Sequence, residues 1–461
     1  MEPALSFSPE IAAIRFGYGL SPRLSPPESP AAMIAALNGP DDMAAAFPIA
    51  SMAEQYERFQ LLWELNQAKS AGDPTAQKKI MAWRREDRNA QSAMLAATFA
   101  RAVEAPDALR ERLTRFWADH FTVKGKGNAR RQVQHFVQDA IRPNVTAPFA
   151  QMLRAAVTHP LMLLYLDQDD SVGPGSVFAV RQAKKGKPRG LNENLAREVL
   201  ELHTLGVGGS YTQRDVREFA ELLAGLRVDM RRGMAFRPNR GEPGAEEVLG
   251  ERYGAKRPKL EDVHAALDDI ATHPDTAAHI ARKLAVHFVS DTPPEGLVEA
   301  LRVRFIETGG DLGAVTAAML EHPDAWGPLA KTKQPFDFLA SAVRALGVEG
   351  RQVAGLNPKR VRDYLVRPMQ LMGQPWENPN GPDGWAEDGA HWLTPQGLAV
   401  RINWAMSVRK VEGLALPDPR AFVKTALGSQ ASARLEFAAK AAEREAEGVG
   451  IILASPDFQR R

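Results

Sequence analysis

The stretch Asn192-Glu-Asn-Leu-Ala-Arg-Glu-Val-Leu-Glu-Leu-His-Thr-Leu-Gly206 reads as a helix. Advancing ~100° per residue, Leu195, Val199 and Leu202 define one apolar face. Asn192 and His203 fall on that face, Asn194, Arg197 and Glu201 point away, and Glu198 lies on the border. Burying an amide and an imidazole obliges the fold to supply each with a hydrogen-bond partner. Asn192 and His203 would stand ~16 Å apart along the axis, too far to share one metal ion. Gly206 stops the helix, and Thr212 ahead of Asp215 can cap the next one.

The same three-and-four spacing extends in both directions. It runs from Ser51 to Val123 with a breaker at Gly72-Asp73-Pro74, and predicts helices near 130–158, 160–167, 191–205, 213–226, 259–271, 275–289, 294–308 and 311–321. More follow beyond Lys331, ending in an Ala/Glu-rich helix near 430–447. Strand-like alternation is scarce; the best hairpin spans Met234–Tyr253, two short runs flanking Pro238-Asn239-Arg240-Gly241-Glu242-Pro243-Gly244. His159-Pro160, His273-Pro274 and His322-Pro323 each fall between two helical runs, where proline suits the first helical position. Ser455-Pro456 repeats the device with serine as the cap. The expected fold is mainly all-α, a multi-helical globular protein with a small β-hairpin insertion. Three regions are expected: 1–128, helical; 129–256, holding the quoted helix and the hairpin; and 257–461, helical with a Trp/Pro/Gly-rich loop.

Composition narrows the chemistry. The chain has 461 residues, 44% hydrophobic and 25% charged, with Lys+Arg 58 against Asp+Glu 56. That near-balance offers no electrostatic reason to expect nucleic acid or a membrane surface. Cysteine is absent, which excludes disulfides, a thiolate nucleophile and Cys-ligated metal. No run of about 18 apolar residues exists to span a bilayer. Met1-Glu2-Pro3-Ala4-Leu5 carries no export signal, so the expected compartment is the cytoplasm.

Leu113, Phe116, Trp117 and His120 share one face of a second helix, which places His120 in the interior beside a tryptophan. Two buried histidines on two helices can meet, and Glu198 or Asp167 could complete a His/carboxylate site for a divalent metal; the alternative is core histidines bonded to carboxylates or carbonyls. His120, His203 and Glu198 are thus the catalytic candidates, and the same three with Asp167 the metal-ligand candidates. The loop Asp167–Gly190 turns from acidic to basic, and Arg181, Lys184, Lys185, Lys187 and Arg189, with Arg130 and Arg131 nearby, could bind an anion at the helix start by Asn192. A solvated loop is the plainer reading. Trp376, Trp385 and Trp392 have the character of a glycan-stacking surface or, more simply, of rings pinning an irregular loop to the body. No strand–turn–helix G-x-S-x-G elbow, Walker lysine or dinucleotide fingerprint is present.

Asn192–Gly206 with Tyr211-Thr-Gln213 resembles the central signature of the bacterial "domain of unknown function 1800" family. Ala12–Gly19 is similar to its opening, Phe116–Val123 to its Trp-x-x-His-Phe element, and His159–Asp167 to the block before its variable loop. Gly381-Pro-Asp-Gly-Trp385 and Leu453–Arg461 resemble its late motifs, so the likeness runs nearly full length. It implies no established activity. The family's genes often neighbour those of the sulfatase-like "domain of unknown function 1501" family, which implies a shared process, and many relatives carry export signals that this chain lacks. Relatives commonly show a His-acidic-x-Gly element in the hairpin, where this chain has Gly241. Three readings follow: a helical binding or accessory protein with a sulfatase-like partner; an enzyme, with or without metal, whose pocket lies between the helices bearing His120, His159, Asp167, Asn192, Glu198 and His203; and a glycan- or anionic-polymer-binding module.

Overall fold

A computed structural model describes residues 5–129, 131–229, 231–410 and 414–461 of the chain, and of Asn128 and Lys410 only the backbone. The opening residues 1–4, on which the reading of no export signal leans, lie outside these, as does Arg130. The body is a succession of helices with four short strands, as the periodicity requires.

Three helices position the site: α1, Leu109–His120; α2, Asn194–Glu198, which widens into a π turn over Val199–His203; and α3, Pro274–Phe288. The expected run 191–205 therefore starts later than its spacing suggested. Asn192 stands before the helix and bends back: its Nδ2 donates to the carbonyls of Leu166 (3.0 Å) and Asp167 (2.9 Å), and its Oδ1 accepts from the N–H of Asn194 (2.9 Å). The π turn is closed by Thr204, whose hydroxyl donates to Val199 O (2.6 Å), and its extra residue per turn carries His203 into the interior.

The His-Pro pairs behave as expected and add a detail. In each, the histidine is the N-cap, its Nδ1 accepting from a first-turn N–H: His159 from Leu161 (3.1 Å), His273 from Asp275 (3.1 Å) and His322 from Asp324 (3.2 Å). An imidazole held by such a bond does the work serine does at Ser455, whose Oγ accepts from Phe458 N–H (3.1 Å).

Two expected elements divide. The run 130–158 breaks at Pro143 and Pro148, and the one near 430–447 becomes Ala433–Ala441 and Glu445–Ala454. The single hairpin expected over Met234–Tyr253 is instead two: β1 Leu226–Asp229 pairs with β2 Gly233–Phe236, and β3 Glu246–Val248 with β4 Glu251–Tyr253, all antiparallel. The cause lies in the second turn, where Leu249 (φ 53°) and Gly250 (φ 85°) both adopt the left-handed conformation that a two-residue hairpin requires. Among the described residues no helix is long and apolar enough to cross a membrane.

Two large apolar cores result, with a small third cluster of Met52, Phe59, Leu62, Ile80 and Trp83. The larger gathers α1, α3 and the π turn around Phe16, Trp117, Phe121, Phe149 and Phe288. The second packs Phe99, Phe336, Met369, Phe422 and Phe458. The seam between them is polar. Arg112 of α1 reaches Asp337 (2.5 Å), which also takes Arg461 (3.1 Å), and both arginines are buried. Arg461 is held there because residues 459–461 run against residues 331–333, with Arg461 N–H on Lys331 O (2.8 Å) and Lys333 N–H on Gln459 O (2.8 Å).

Candidate functional site

The end of α1 carries Asp119 to the loop beside this seam and His120 into the edge of the larger core, against Trp117, Phe121 and Phe149. His120 is 3% and His203 1% exposed, and their rings stand 6.0 Å apart, so the two buried histidines do meet. A third ring, His279 of α3, lies 6.3 Å from His120. His120 Nε2 donates to His203 O (3.0 Å) and His279 Nε2 to Leu202 O (3.2 Å). Carbonyl acceptors fix both tautomers with the proton on Nε2, leaving Nδ1 as a free base. His203 has no hydrogen-bond partner for either ring nitrogen, and His120 Nδ1 and the Trp117 Nε1 beside it are likewise unpartnered and buried.

Spacing on α3 adds a stripe. His279, Lys283 and His287 recur every fourth residue and so project from one face. Lys283 is half-buried and makes no hydrogen bond or ion pair. Burial lowers its ammonium below the usual lysine range, although the carboxyls of Asp119, Glu387 and Asp383 pull the other way. Burial, reinforced by the Lys283 charge, depresses the imidazoles: His203 to about 3, His279 to about 4, and His120 well below the usual histidine value. All three are neutral at physiological pH. Asp119 moves the opposite way, pushed up to about 7 by burial and by Glu387. Around Lys283 the fold thus gathers a carboxyl that holds its proton more readily than usual and three neutral imidazoles.

The fourth wall is the loop Gly373–Pro395. Its Gly381-Pro-Asp-Gly-Trp385 turn docks on Asp119, whose carboxylate accepts from Trp385 N–H at 3.0 and 3.2 Å. Gly384 has φ 81°, and a Cβ there would lie 2.8 Å from Asp119 O and Oδ1. Gly384→Ala is therefore expected to cost about 1–3 kcal/mol, the usual range for such backbone strain. Chemical denaturation checks this, and a change below about 0.5 kcal/mol, ordinary for a surface site, would show that the turn is not held this way. Beyond the turn, Glu387 Oε1 takes the Nδ1 proton of His287 (2.5 Å) and Oε2 takes Lys331 (3.1 Å). Burial alone would raise Glu387, but the His287 N–H and the Lys331 ammonium hold it down at about 2. A cavity of about 70 Å³ lies beside this wall, lined by Asp119, Arg115, Trp376, Glu377 and Trp385 among others. Glu377, in a left-handed conformation (φ 54°) and accepting from Gln134 (3.0 Å), is pushed up to about 7 by burial.

Of the residues singled out from the sequence, His120 and His203 are central and Glu198 is peripheral. Glu198 is half-buried and raised above the usual carboxylate range by burial and by its acidic neighbours Glu201 and Asp383. Asp167 points elsewhere, to Lys126 (2.8 Å) at the surface, and His159 is occupied as a cap. The four candidate metal ligands are not drawn together: among the described residues, the one set of three or more His, Asp or Glu whose ligand atoms lie within 4.8 Å of each other is Glu218, Glu221 and Glu246. Arg181, Lys184, Lys185, Lys187 and Arg189 are exposed and form no ion pair, whereas Arg131 pairs with Asp87 (3.2 Å). The tryptophans mostly anchor their loop. Trp392 is 1% exposed and donates to Ala386 O (2.8 Å), and Trp376 stacks on Phe336 at 6.0 Å. Asp119, His279, Lys283, Asp383 and Glu387 are new; the four-residue repeat on the helix expected over 275–289 was the available signal for two of them.

Fold and site together define a class: a helical protein with a histidine–lysine–carboxyl cluster in the seam between two apolar cores. The chain belongs to the family described as "Protein of unknown function (DUF1800)", whose model matches residues 11–460. No curated protein and no solved structure matches it.

Proposed function

We propose that this protein is an enzyme whose working site is the seam at Asp119, with Asp119 as proton donor and the free Nδ1 atoms of His120 and His279 as acceptors. One observation carries the reading. Five titratable groups from three helical elements converge there, with ring nitrogens unsatisfied in the interior and ionisation displaced from ordinary values. Buried polar atoms without partners are expensive, and such clusters in clefts favour function over packing. The test is comparative metabolite profiling. Purified wild type should consume small molecules from a metabolite mixture that Asp119→Asn and His279→Gln variants, unfolding at the wild-type temperature, leave untouched. Identical profiles for all three proteins would overturn the reading. The accessory role beside a sulfatase-like partner draws support from the family's gene neighbourhood, and co-purification of the two proteins is its test.

A further inference from the structure

We infer that Lys283 is a carbonyl-reactive lysine: its amine forms an imine with a small neutral aldehyde or ketone admitted at the seam. The inference rests on the enzyme reading of this site and adds its nucleophile and substrate class. Most charged side chains in the seam are spoken for. Arg112 and Arg461 hold Asp337, and Lys331 holds Asp291 (2.6 Å) and Glu387. Lys283, like Lys333 over the Phe458 ring, makes no hydrogen bond or ion pair through its amine, but Lys333 is sealed at 2% exposure whereas Lys283 is only half-buried, so its nitrogen is uncommitted and not closed off. A desolvated lysine without a counter-ion spends more of its time as the neutral amine, the form that attacks carbonyl carbon.

The groups facing Lys283 supply the remaining parts. They are Asp119 and His120 from α1, His203 from the π turn, His279 and His287 on its own helix, and Asp383 and Glu387 from the loop. The Nζ lone pair attacks the carbonyl carbon, a C–N bond forms, and the π pair moves to oxygen, which takes the Asp119 proton. The ammonium that results gives a proton to the free Nδ1 of His279. That proton then leaves with the oxygen as water, the C=N bond closes as an iminium, and the proton left on nitrogen returns to the Asp119 carboxylate. Aldehyde plus amine become imine plus water, with no oxidant or reductant. Substrate charge follows from the rim. Asp383 and Glu198 are acidic, as is Glu387, and an anionic substrate would meet them; a neutral carbonyl compound would not.

Propanal with sodium cyanoborohydride tests this, because reduction traps the imine as a stable propyl-lysine that peptide mass spectrometry locates. At pH 7 Lys283 is expected to label at least about tenfold faster than exposed Lys184 and Lys185, because an amine without a partner is the more nucleophilic. The rate should pass through a maximum with pH, and in Asp119→Asn it should be slower and lose the fall on the alkaline side of about 7. In Lys283→Arg, labelling at that peptide vanishes while thermal unfolding stays at the wild-type temperature. Labelling of Lys283 no faster than of Lys184 would overturn the inference. Should metabolite consumption still depend on Asp119 and His279 in that event, the enzyme reading survives without a lysine nucleophile; if neither holds, both fall.

Discussion

Exchanging Asp337 for asparagine is expected to cost about 3–5 kcal/mol of folding stability, the range found when one partner of a buried ion pair is removed. Asp337 is the shared counter-ion of Arg112 and Arg461, at 2.5 and 3.1 Å. Both guanidinium groups are buried, and Lys333, whose amine burial pushes down to about 7, also leans on the same carboxylate. Asparagine preserves the shape and leaves Arg112 without an ion pair and Arg461 with only its longer contact to Glu387 (4.0 Å). The double exchange Arg112→Met with Asp337→Leu should lose less than Asp337→Asn alone, because it removes a charge together with its partner. Urea titration decides. A loss under about 1 kcal/mol for Asp337→Asn, within the range of an exposed pair, would show that the seam is wet enough to screen these charges.

The second large effect is a dependence on pH with opposite signs for two neighbours. Unfolded histidine takes up a proton near pH ~6.5, whereas His203 in the fold does so only near 3. Below ~6.5 the unfolded chain therefore binds more protons at this position, and stability falls as pH falls. Between pH 7 and 5 the contribution amounts to about 2 kcal/mol, and it is absent from His203→Gln. That variant should gain on wild type by this amount over the interval. Asp119 runs the other way. With its folded value near 7 and an unfolded value near ~3.9, the native state binds more protons between the two, and stability rises as pH falls. Asp119→Asn should therefore lose about 2 kcal/mol on wild type across the same interval. The wild-type curve adds to these two trends those of His120, His279 and Glu377, so each variant is read as its difference from wild type. Guanidinium unfolding of the three proteins at pH 7, 6 and 5 reads both slopes; parallel curves would mean that neither group is buried as described.

How much of this was legible beforehand divides along a physical line. Apolar spacing within one helix announces itself, so the helical body, the caps at the His-Pro pairs and the interior position of His120 and His203 could all be read from sequence. Groups that matter because of what lies opposite could not. Asp119 looks like a solvent-facing residue on α1 until Trp385, 266 positions later, donates to it. Lys283 sits among charged residues that a helix surface normally carries, and only burial by the other elements makes it unusual. Helical phase puts Asn192 on the buried face only if it runs two residues past the true start; its own side chain ends that phase by capping Asn194. The two hairpins read as one for a related reason: a left-handed leucine at Leu249 leaves no mark in composition.

The stripe on α3 has a consequence for how the gene can vary. His279 belongs to the imidazole cluster, His287 to the Glu387 contact, and Lys283 lies between them, so one rigid rod sets the mutual aim of the whole assembly. Substituting a residue on the far face leaves that aim intact. Inserting or deleting a single codon between Pro274 and His279 turns the rod by about 100° relative to its capped start at His273. The proline start and the stripe could then not both keep their places. Length within this segment is accordingly less free to drift than composition, and the loops, which absorb added residues at little cost, are where related chains would differ in size.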